Sequence, residues 1–151
     1  DCAKLPLEQF ELKYPKEPRP RTCLELSESW ARGIIKMPIA KGAILNSHAV
    51  AKEINDNEYG ALCHAIGHAG ATVHVETHAL GLPIYELTAL VLKYEIANFK
   101  KPVGEKISYY YDRLLYWQEN TDKLRFDWAD FLLDDTRPNK ERLLMEKRKR
   151  D

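Results

Sequence analysis

The segment from Glu58 to Leu80 constrains the fold of this chain more than any other stretch. It consists mainly of Ala, Gly and His, and its few bulky aliphatic residues are Leu62, Ile66 and Val73. Each glycine in it costs a free-standing helix about 1 kcal/mol relative to Ala. A helix tolerates that cost where small side chains let a neighbouring helix approach closely. We therefore expect one continuous helix over this segment, in the centre of the domain.

Apolar residues recur at steps of three and four along the rest of the chain, which is typical of amphipathic helices. No stretch alternates with a two-residue period beside an Asn-Gly or Asp-Gly turn, so strands are not expected. The expected fold is all-α, a single-domain bundle of about five to seven helices around the central Gly/Ala/His-rich helix. The apolar pattern predicts the other helical segments at Leu5–Tyr14, Cys23–Ile34, Ile39–Ile54, Ile84–Phe99, Ile107–Trp117 and Phe126–Leu133.

Glycine and proline suggest where these helices end. Gly33 and Pro38 bracket the end of the second helix, and Gly81 is expected to be a left-handed cap after the central one. Residues 137–151 are strongly charged and are expected to form a helical tail outside a domain of residues 1–136.

The composition excludes several classes of protein. Lys+Arg and Asp+Glu both number 23 among 151 residues, whereas phosphate binding relies on a basic excess, so a nucleic-acid binder is not expected. No apolar run approaches the length of a membrane span, and the start of the chain lacks a secretory signal. The three cysteines form no CxxC pair, which favours reduced thiols in a cytoplasmic protein over a disulfide framework or a zinc finger.

Acidic residues are concentrated in residues 109–135, where seven acids face three bases, and the excess is reversed in the tail. These segments are either solvated faces that partly neutralise each other or an acidic surface for a basic partner. The same region holds more aromatic rings than one core face of a helix accommodates, and Tyr and Trp are favoured at interfaces. The candidate partner-binding residues are Tyr109, Asp112, Tyr116, Glu119, Asp122, Asp127 and Asp130.

Histidines form the sharpest cluster in the sequence. His64 and His68 are four residues apart, as are His74 and His78, and His48 precedes them on another helix. On a helix, this spacing suits a two-histidine clamp for a divalent metal ion. A continuous helix would separate His64 from His78 by about 21 Å, so one ion could not bind all of them. The alternative is a set of interior histidines, each hydrogen-bonded to a carbonyl, a carboxylate or a tyrosine hydroxyl across a tight helix contact.

No catalytic motif is present. The sequence lacks GxSxG, GxxxxGK[ST], GxGxxG and HExxH. Cys63 lies next to His64, but adjacent residues on a helix point about 100° apart and do not form a thiolate–imidazole pair. We therefore assign no catalytic residue and expect no cofactor, with a divalent metal at the histidines as the alternative.

The chain resembles a group of small helical proteins identified as immunity proteins of bacterial polymorphic toxin systems. The resemblance covers roughly residues 1–100. It rests on three groups of residues, on one dipeptide and on one single position. These are Asp1-Cys2-Ala3 with Pro6 and Tyr14-Pro15; Arg19-Pro20-Arg21 with Glu25 and Trp30-Ala31-Arg32-Gly33; Gly67-His68-Ala69, Ala71-Thr72, His74-Val75 and His78-Ala79-Leu80-Gly81; and His48-Ala49 and Tyr85.

The resemblance implies an all-helical protein without catalytic residues that neutralises a cognate toxin by binding it. Such domains begin about one helix earlier, which implies that an N-terminal helix is missing before Asp1. An exposed apolar groove, or another subunit that fills it, would follow from its absence. Two other functions stay open. One is a metal-dependent enzyme or metal carrier that uses the histidines. The other is an architectural oligomer whose subunits meet through the Gly/Ala-rich helix.

Overall fold

The computed structural model describes residues 1–134, 143, 146–148 and 150. Within these residues there is no strand, so the all-α prediction is confirmed. The predicted charged tail lies mostly outside the described residues. The helices are α1 (Lys4–Lys13), α2 (Arg19–Ala31), α3 (Met37–Glu53), α4 (Asn57–Ala71), a 3-10 helix (Glu76–Leu80), α5 (Gly81–Asn98), α6 (Lys100–Asn120) and α7 (Asp130–Leu133).

Helix α4 is the centre of the bundle, as its composition predicts. It packs against α1, α2, α3 and α5, and nine of its fifteen residues are buried. Two neighbouring helices bond directly to its backbone. Ser47 Oγ on α3 donates to the carbonyl oxygen of Cys63 at 3.1 Å. The thiol of Cys23 on α2 lies 4.0 Å from the carbonyl oxygen of Ile66. The Gly/Ala-rich helix is therefore interior, and other helices of the same chain cover most of its surface.

The main apolar core lies between α1, α3 and α4. Leu7 and Phe10 from α1 meet Val50 from α3 and Ile66 from α4, and all four are buried. The start of α4 is fixed by Asp56, whose carboxylate accepts a hydrogen bond from the backbone N–H of Tyr59 at 3.2 Å. An N-cap of this kind satisfies a backbone donor that has no partner inside the helix.

The prediction of one helix over residues 58–80 is wrong in its second half. Helix α4 ends at Ala71, and the chain passes through a turn into the 3-10 helix at Glu76. Thr72, Val73, Val75 and Thr77 are all β-branched, and such residues lose side-chain freedom in a helix. The helix therefore stops, and the chain folds back towards α4.

Two glycines mark chain reversals in different ways. Gly33 has φ +76° and follows α2, and backbone bonds from Gly33 to Trp30 and from Ile34 to Ser29 complete a Schellman motif. Its predicted role at a helix end is confirmed. Gly81 has φ −64° and is the first residue of α5, so the prediction of a left-handed cap there is wrong.

Helix α6 has fewer neighbours than the other long helices. In the described part of the chain, α5 is the one helix that it packs against extensively, and none of its 21 residues is buried. Beyond it, residues 121–129 run without regular structure to the end of α2, where the Ala129 N–H donates to the Ala31 carbonyl at 2.8 Å. None of the described helices is sufficiently long and apolar to cross a membrane.

Candidate functional site

The histidines meet in one cluster because the chain turns back after α4. Nδ1 of His48 on α3 lies 2.8 Å from Nδ1 of His64 on α4. Nδ1 of His68 lies 3.2 Å from Nδ1 of His78 on the 3-10 helix. The ring centroids of His48 and His68 are 5.2 Å apart, which joins the two pairs. The predicted separation of about 21 Å between His64 and His78 depended on a continuous helix and is wrong.

Tyr85 on α5 completes this histidine cluster. Its ring lies 5.0 Å from that of His64 and 5.2 Å from that of His68, and it is stacked on the latter at 18°. His74 stands at the edge, 6.1 Å from the His78 ring and 6.4 Å from that of Trp30. The sequence placed Tyr85 in the family pattern but gave no contact for it, since the contact depends on how α5 packs.

Two glycines provide the space that these rings occupy. A Cβ atom on Gly67 would lie 2.7 Å from Cε1 and Nε2 of His48, and one on Gly81 would overlap the ring of His68. A side chain at either position would therefore displace an imidazole. Close approach of a histidine ring explains both glycines, as the sequence predicted for Gly67 but not for Gly81.

Partial burial favours the neutral form of three imidazoles in the cluster, those of His48, His64 and His68. Burial lowers the pKa of His48 to about 4, with smaller contributions from His64, His68, His78 and Lys52. Burial also lowers the pKa of His64 and that of His68. A neutral imidazole has one N–H donor and one lone pair, so within each close pair one ring donates and the other accepts.

Neutral imidazoles are also the form that binds metal ions, and these pairs are the residues that could hold one. Among the described residues, however, no group of three or more His, Cys, Asp or Glu side chains is arranged as a metal site. The short distances join two nitrogens at a time, which suits hydrogen bonding. The expectation of no cofactor, with a divalent metal ion at the histidines as the alternative, stays a prediction.

Cys63 and His64 form no nucleophilic pair in this arrangement. The Cys63 thiol is buried in the core with Phe10 and Val50. Burial raises its pKa to about 12. A thiol with such a pKa is a poor nucleophile at neutral pH. Cys2, Cys23 and Cys63 are all free thiols.

The predicted partner-binding residues lie on α6 and on the segment that follows it. All except Tyr109 are exposed. Tyr109 is half-buried, and its ring lies beside that of Tyr110 at 5.7 Å. The exposed ones are Asp112, Tyr116, Glu119, Asp122, Asp127 and Asp130.

A row of aromatic rings comes from the same stretch of sequence as these acids. Tyr116 and Trp117 are 5.5 Å apart, Trp117 and Phe126 are 5.9 Å apart, and Phe126 stacks on Trp128 at 4.8 Å. The irregular segment after α6 thus folds against the end of the helix. We call the four rings together with their neighbouring acids the acidic–aromatic surface, which comprises Asp112, Tyr116, Trp117, Glu119, Phe126, Asp127, Trp128 and Asp130.

One polar residue that sequence reasoning missed is Glu86, which holds α6 on α5. Its side chain is 4% exposed, accepts a hydrogen bond from the hydroxyl of Tyr110 and pairs with Lys106 Nζ at 2.8 Å. A lone acid among the apolar residues Leu82, Ile84 and Leu87 was the signal that could have found it. A buried carboxylate needs such partners to offset its desolvation.

Comparison with known proteins gives one match. The family model described as "Imm-5 like putative immunity protein" matches residues 1–113. No curated protein and no solved structure matches the chain. The match includes the histidine cluster and its two glycines and ends within α6, before most of the acidic–aromatic surface. Because it covers well over half of the sequence, the chain belongs to the Imm-5 like family of immunity proteins.

Proposed function

We propose that this protein neutralises a bacterial toxin by binding it, without catalysis, through the acidic–aromatic surface. Membership of an immunity-protein family supports a toxin as the partner. The observation that carries the choice of surface is the row of four rings in the same stretch of sequence as the exposed acids. Aromatic anchors surrounded by charge are a common arrangement in tight protein interfaces.

The chemistry of this surface favours a basic partner. Residues 109–135 carry an excess of acids, and Asp112, Asp127 and Asp130 are exposed. Opposite charge on the partner would speed encounter, and Arg or Lys side chains would also be attracted to the ring faces. Arg113 already shows this contact within the chain, since its guanidinium lies 4.2 Å from the centroid of the Tyr116 ring.

Trp128 is the ring best placed to act as an anchor. It is 47% exposed, although its indole is stacked on Phe126. Leaving half of a large apolar ring in water has a cost that burial against a partner recovers. We expect Trp128 to contribute more to binding than any other ring of the surface.

The position of the surface relative to the family match supports the same assignment. Glu119, Asp127 and Asp130 lie beyond residue 113, where the match ends. An immunity protein must distinguish its own toxin from others, and specificity depends on the contacts that differ between partners. A shared fold with partner-specific residues beyond the matched part fits that need.

We place this activity in the cytoplasm of the bacterial cell. All three cysteines are free thiols, which suits a reducing compartment. A toxin reaching that compartment would meet the protein there.

Survival of bacteria that express a toxin tests the proposal. Cells would express each toxin domain encoded next to this gene in its genome, together with the chain or a variant. We expect the wild-type chain to restore growth against one of these toxins and the double variant Asp112→Lys, Asp127→Lys to lose protection. The matched control is Glu8→Lys, Glu25→Lys, which makes the same charge change at exposed sites on α1 and α2 and should protect. Equal protection by both double variants, or protection by none of the chains, would contradict the proposal.

A further inference from the structure

Three apolar residues on the outer face of α6 are more than half exposed in the described part of the chain. Ile107, Tyr111 and Leu114 are 52%, 60% and 64% exposed. At about 100° per residue, the three lie within an arc of about 60° on the helix. They therefore form one continuous stripe, with the α5 contact through Glu86 and Tyr110 to one side of it.

This stripe is distinct from the acidic–aromatic surface. Asp112 and Tyr116 point about 100° or more away from Tyr111 on the other side of the helix. Helix α6 thus has three faces, of which one packs on α5 and also carries Trp117, one carries Asp112 and Tyr116, and one is the apolar stripe. The toxin-binding proposal leaves the stripe unexplained.

Gly104 shares the direction of the stripe, and the described residues do not pack closely against it. A Cβ atom there would meet nothing within 4 Å. A glycine within a helix costs about 1 kcal/mol relative to Ala, and no described contact of this chain compensates for it. Close approach by a helix from outside the chain gives it a structural reason.

The charges at the two ends of the stripe are self-complementary. Lys100 and Asp122 are each eleven residues from Tyr111, on opposite sides of it, and both are exposed. Two copies of α6 packed antiparallel about a two-fold axis at Tyr111 would therefore place each Lys100 near the partner's end that carries Asp122. The same packing sets Ile107 against Leu115 of the second copy. A two-fold interface requires such self-complementarity, because the same surface of both copies meets itself.

We propose that the protein forms a two-fold symmetric homodimer through antiparallel packing of α6, with Tyr111 on the axis and Lys100 paired with Asp122 of the second copy. The occupant of the stripe is thus a second copy of this chain. The contact does not require the toxin-binding proposal, since its apolar residues lie on a different face of α6 and Asp122, although a candidate partner-binding residue from the sequence, is outside the acidic–aromatic surface.

Sedimentation equilibrium of the full chain, from 1 to 100 µM, tests the dimer. We expect the wild-type chain to sediment as a dimer at the higher concentrations and Leu114→Lys to weaken dimerisation at least tenfold. Leu114 is largely exposed, so its replacement should leave the circular dichroism spectrum unchanged. A wild-type chain that is monomeric throughout, with the stripe covered by other residues of the same chain or left free, would overturn the proposal, as would an unaffected Leu114→Lys dimer.

A charge exchange tests the geometry itself. Lys100→Asp and Asp122→Lys should each weaken the dimer, because each variant places like charges together at both ends. The double variant should restore dimerisation to within about threefold of the wild type, since the pairing is re-formed in reverse. Lys101→Asp is the matched control, because Lys101 points away from the stripe and should have little effect. Absence of rescue in the double variant, with Lys101→Asp equally disruptive, would overturn the antiparallel arrangement.

Discussion

Gly67 on α4 lies directly beneath the imidazole of His48 on α3, so close that a Cβ atom on the glycine would stand 2.7 Å from the ring. This contact explains why a helix at the centre of the bundle carries a residue that weakens helices. It also fixes the position of His48 within hydrogen-bonding distance of His64. Much of the stability of the histidine cluster should therefore depend on a residue without a side chain.

Gly67→Ala should destabilise the protein by about 1–3 kcal/mol, because the added methyl group must displace a packed ring. Gly42→Ala is the matched control, since Gly42 lies within α3 and a Cβ atom there meets nothing within 4 Å. The control should raise the free energy of unfolding by about 0.5–1 kcal/mol, the helix propensity of Ala over Gly. Urea denaturation followed by circular dichroism measures both. Similar changes in the two variants would contradict the close packing at Gly67.

The stability of the protein should fall as the pH falls from about 6.5 to about 4. The pKa of His48 is lowered to about 4 from its ordinary 6.5, and the pKa values of His64 and His68 are also lowered. In this window the unfolded chain binds more protons than the folded one, so protonation favours unfolding. Free energies of unfolding at pH 7, 6 and 5 measure the slope.

Two variants identify the source of that slope. His48→Gln removes the most strongly shifted imidazole and should flatten the pH dependence. Lys52→Gln removes a positive charge that lowers the pKa of His48 and of His64, and should flatten it less. A slope in His48→Gln as steep as in the wild type would exclude His48 as its main origin.

Glu86 should be essential for holding α6 on α5. Glu86→Ala leaves Lys106 and the hydroxyl of Tyr110 without their buried partner, and should reduce the free energy of unfolding by about 3 kcal/mol. Glu105→Ala is the control, because Glu105 is exposed and its ion pair with Lys101 is 3.9 Å long. Such a pair contributes about 0–1 kcal/mol. An equally small change in Glu86→Ala would contradict this role.

The histidine cluster should function without a bound metal ion. We expect the purified chain to contain well below one equivalent of zinc, copper, nickel or iron by elemental analysis, and its melting temperature to be unchanged by EDTA. A bound structural metal would stabilise the folded state and couple the melting temperature to chelator. One equivalent of metal per chain that disappears in His48→Ala would show that the histidines bind it.

The comparison of sequence with structure separates local from long-range information. The glycines in the central segment predicted close packing, and Gly67 and Gly70 do pack against His48 and Cys23. The end of α4 at Ala71 could have been predicted from the β-branched residues after it, which argued against a continuous helix. The meeting of His68 with His78 could not, because it depends on how far the chain turns back.

The apolar pattern of α6 predicted the helix itself but not its neighbours. The spacing of Ile107, Tyr111 and Leu114 correctly predicted a helix and showed that these residues share a face. It could not show whether another element covers that face, because periodicity carries no information about neighbours. All three are exposed in the described structure. The partners of Glu86 could not be predicted from the local sequence either, since Lys106 and Tyr110 lie 20 and 24 residues further along the chain.

The most direct test of the toxin-binding proposal is the association rate of the purified chain with the toxin domain against which it protects, measured by surface plasmon resonance at low and high salt. Electrostatic steering by the acidic–aromatic surface predicts that Asp112→Lys, Asp127→Lys lowers the association rate at least tenfold at low salt, with a smaller difference at high salt. Glu8→Lys, Glu25→Lys should stay within about twofold of the wild type, because steering depends on charge near the contact. Equal association rates for the two double variants, or no binding by the wild-type chain, would contradict the account.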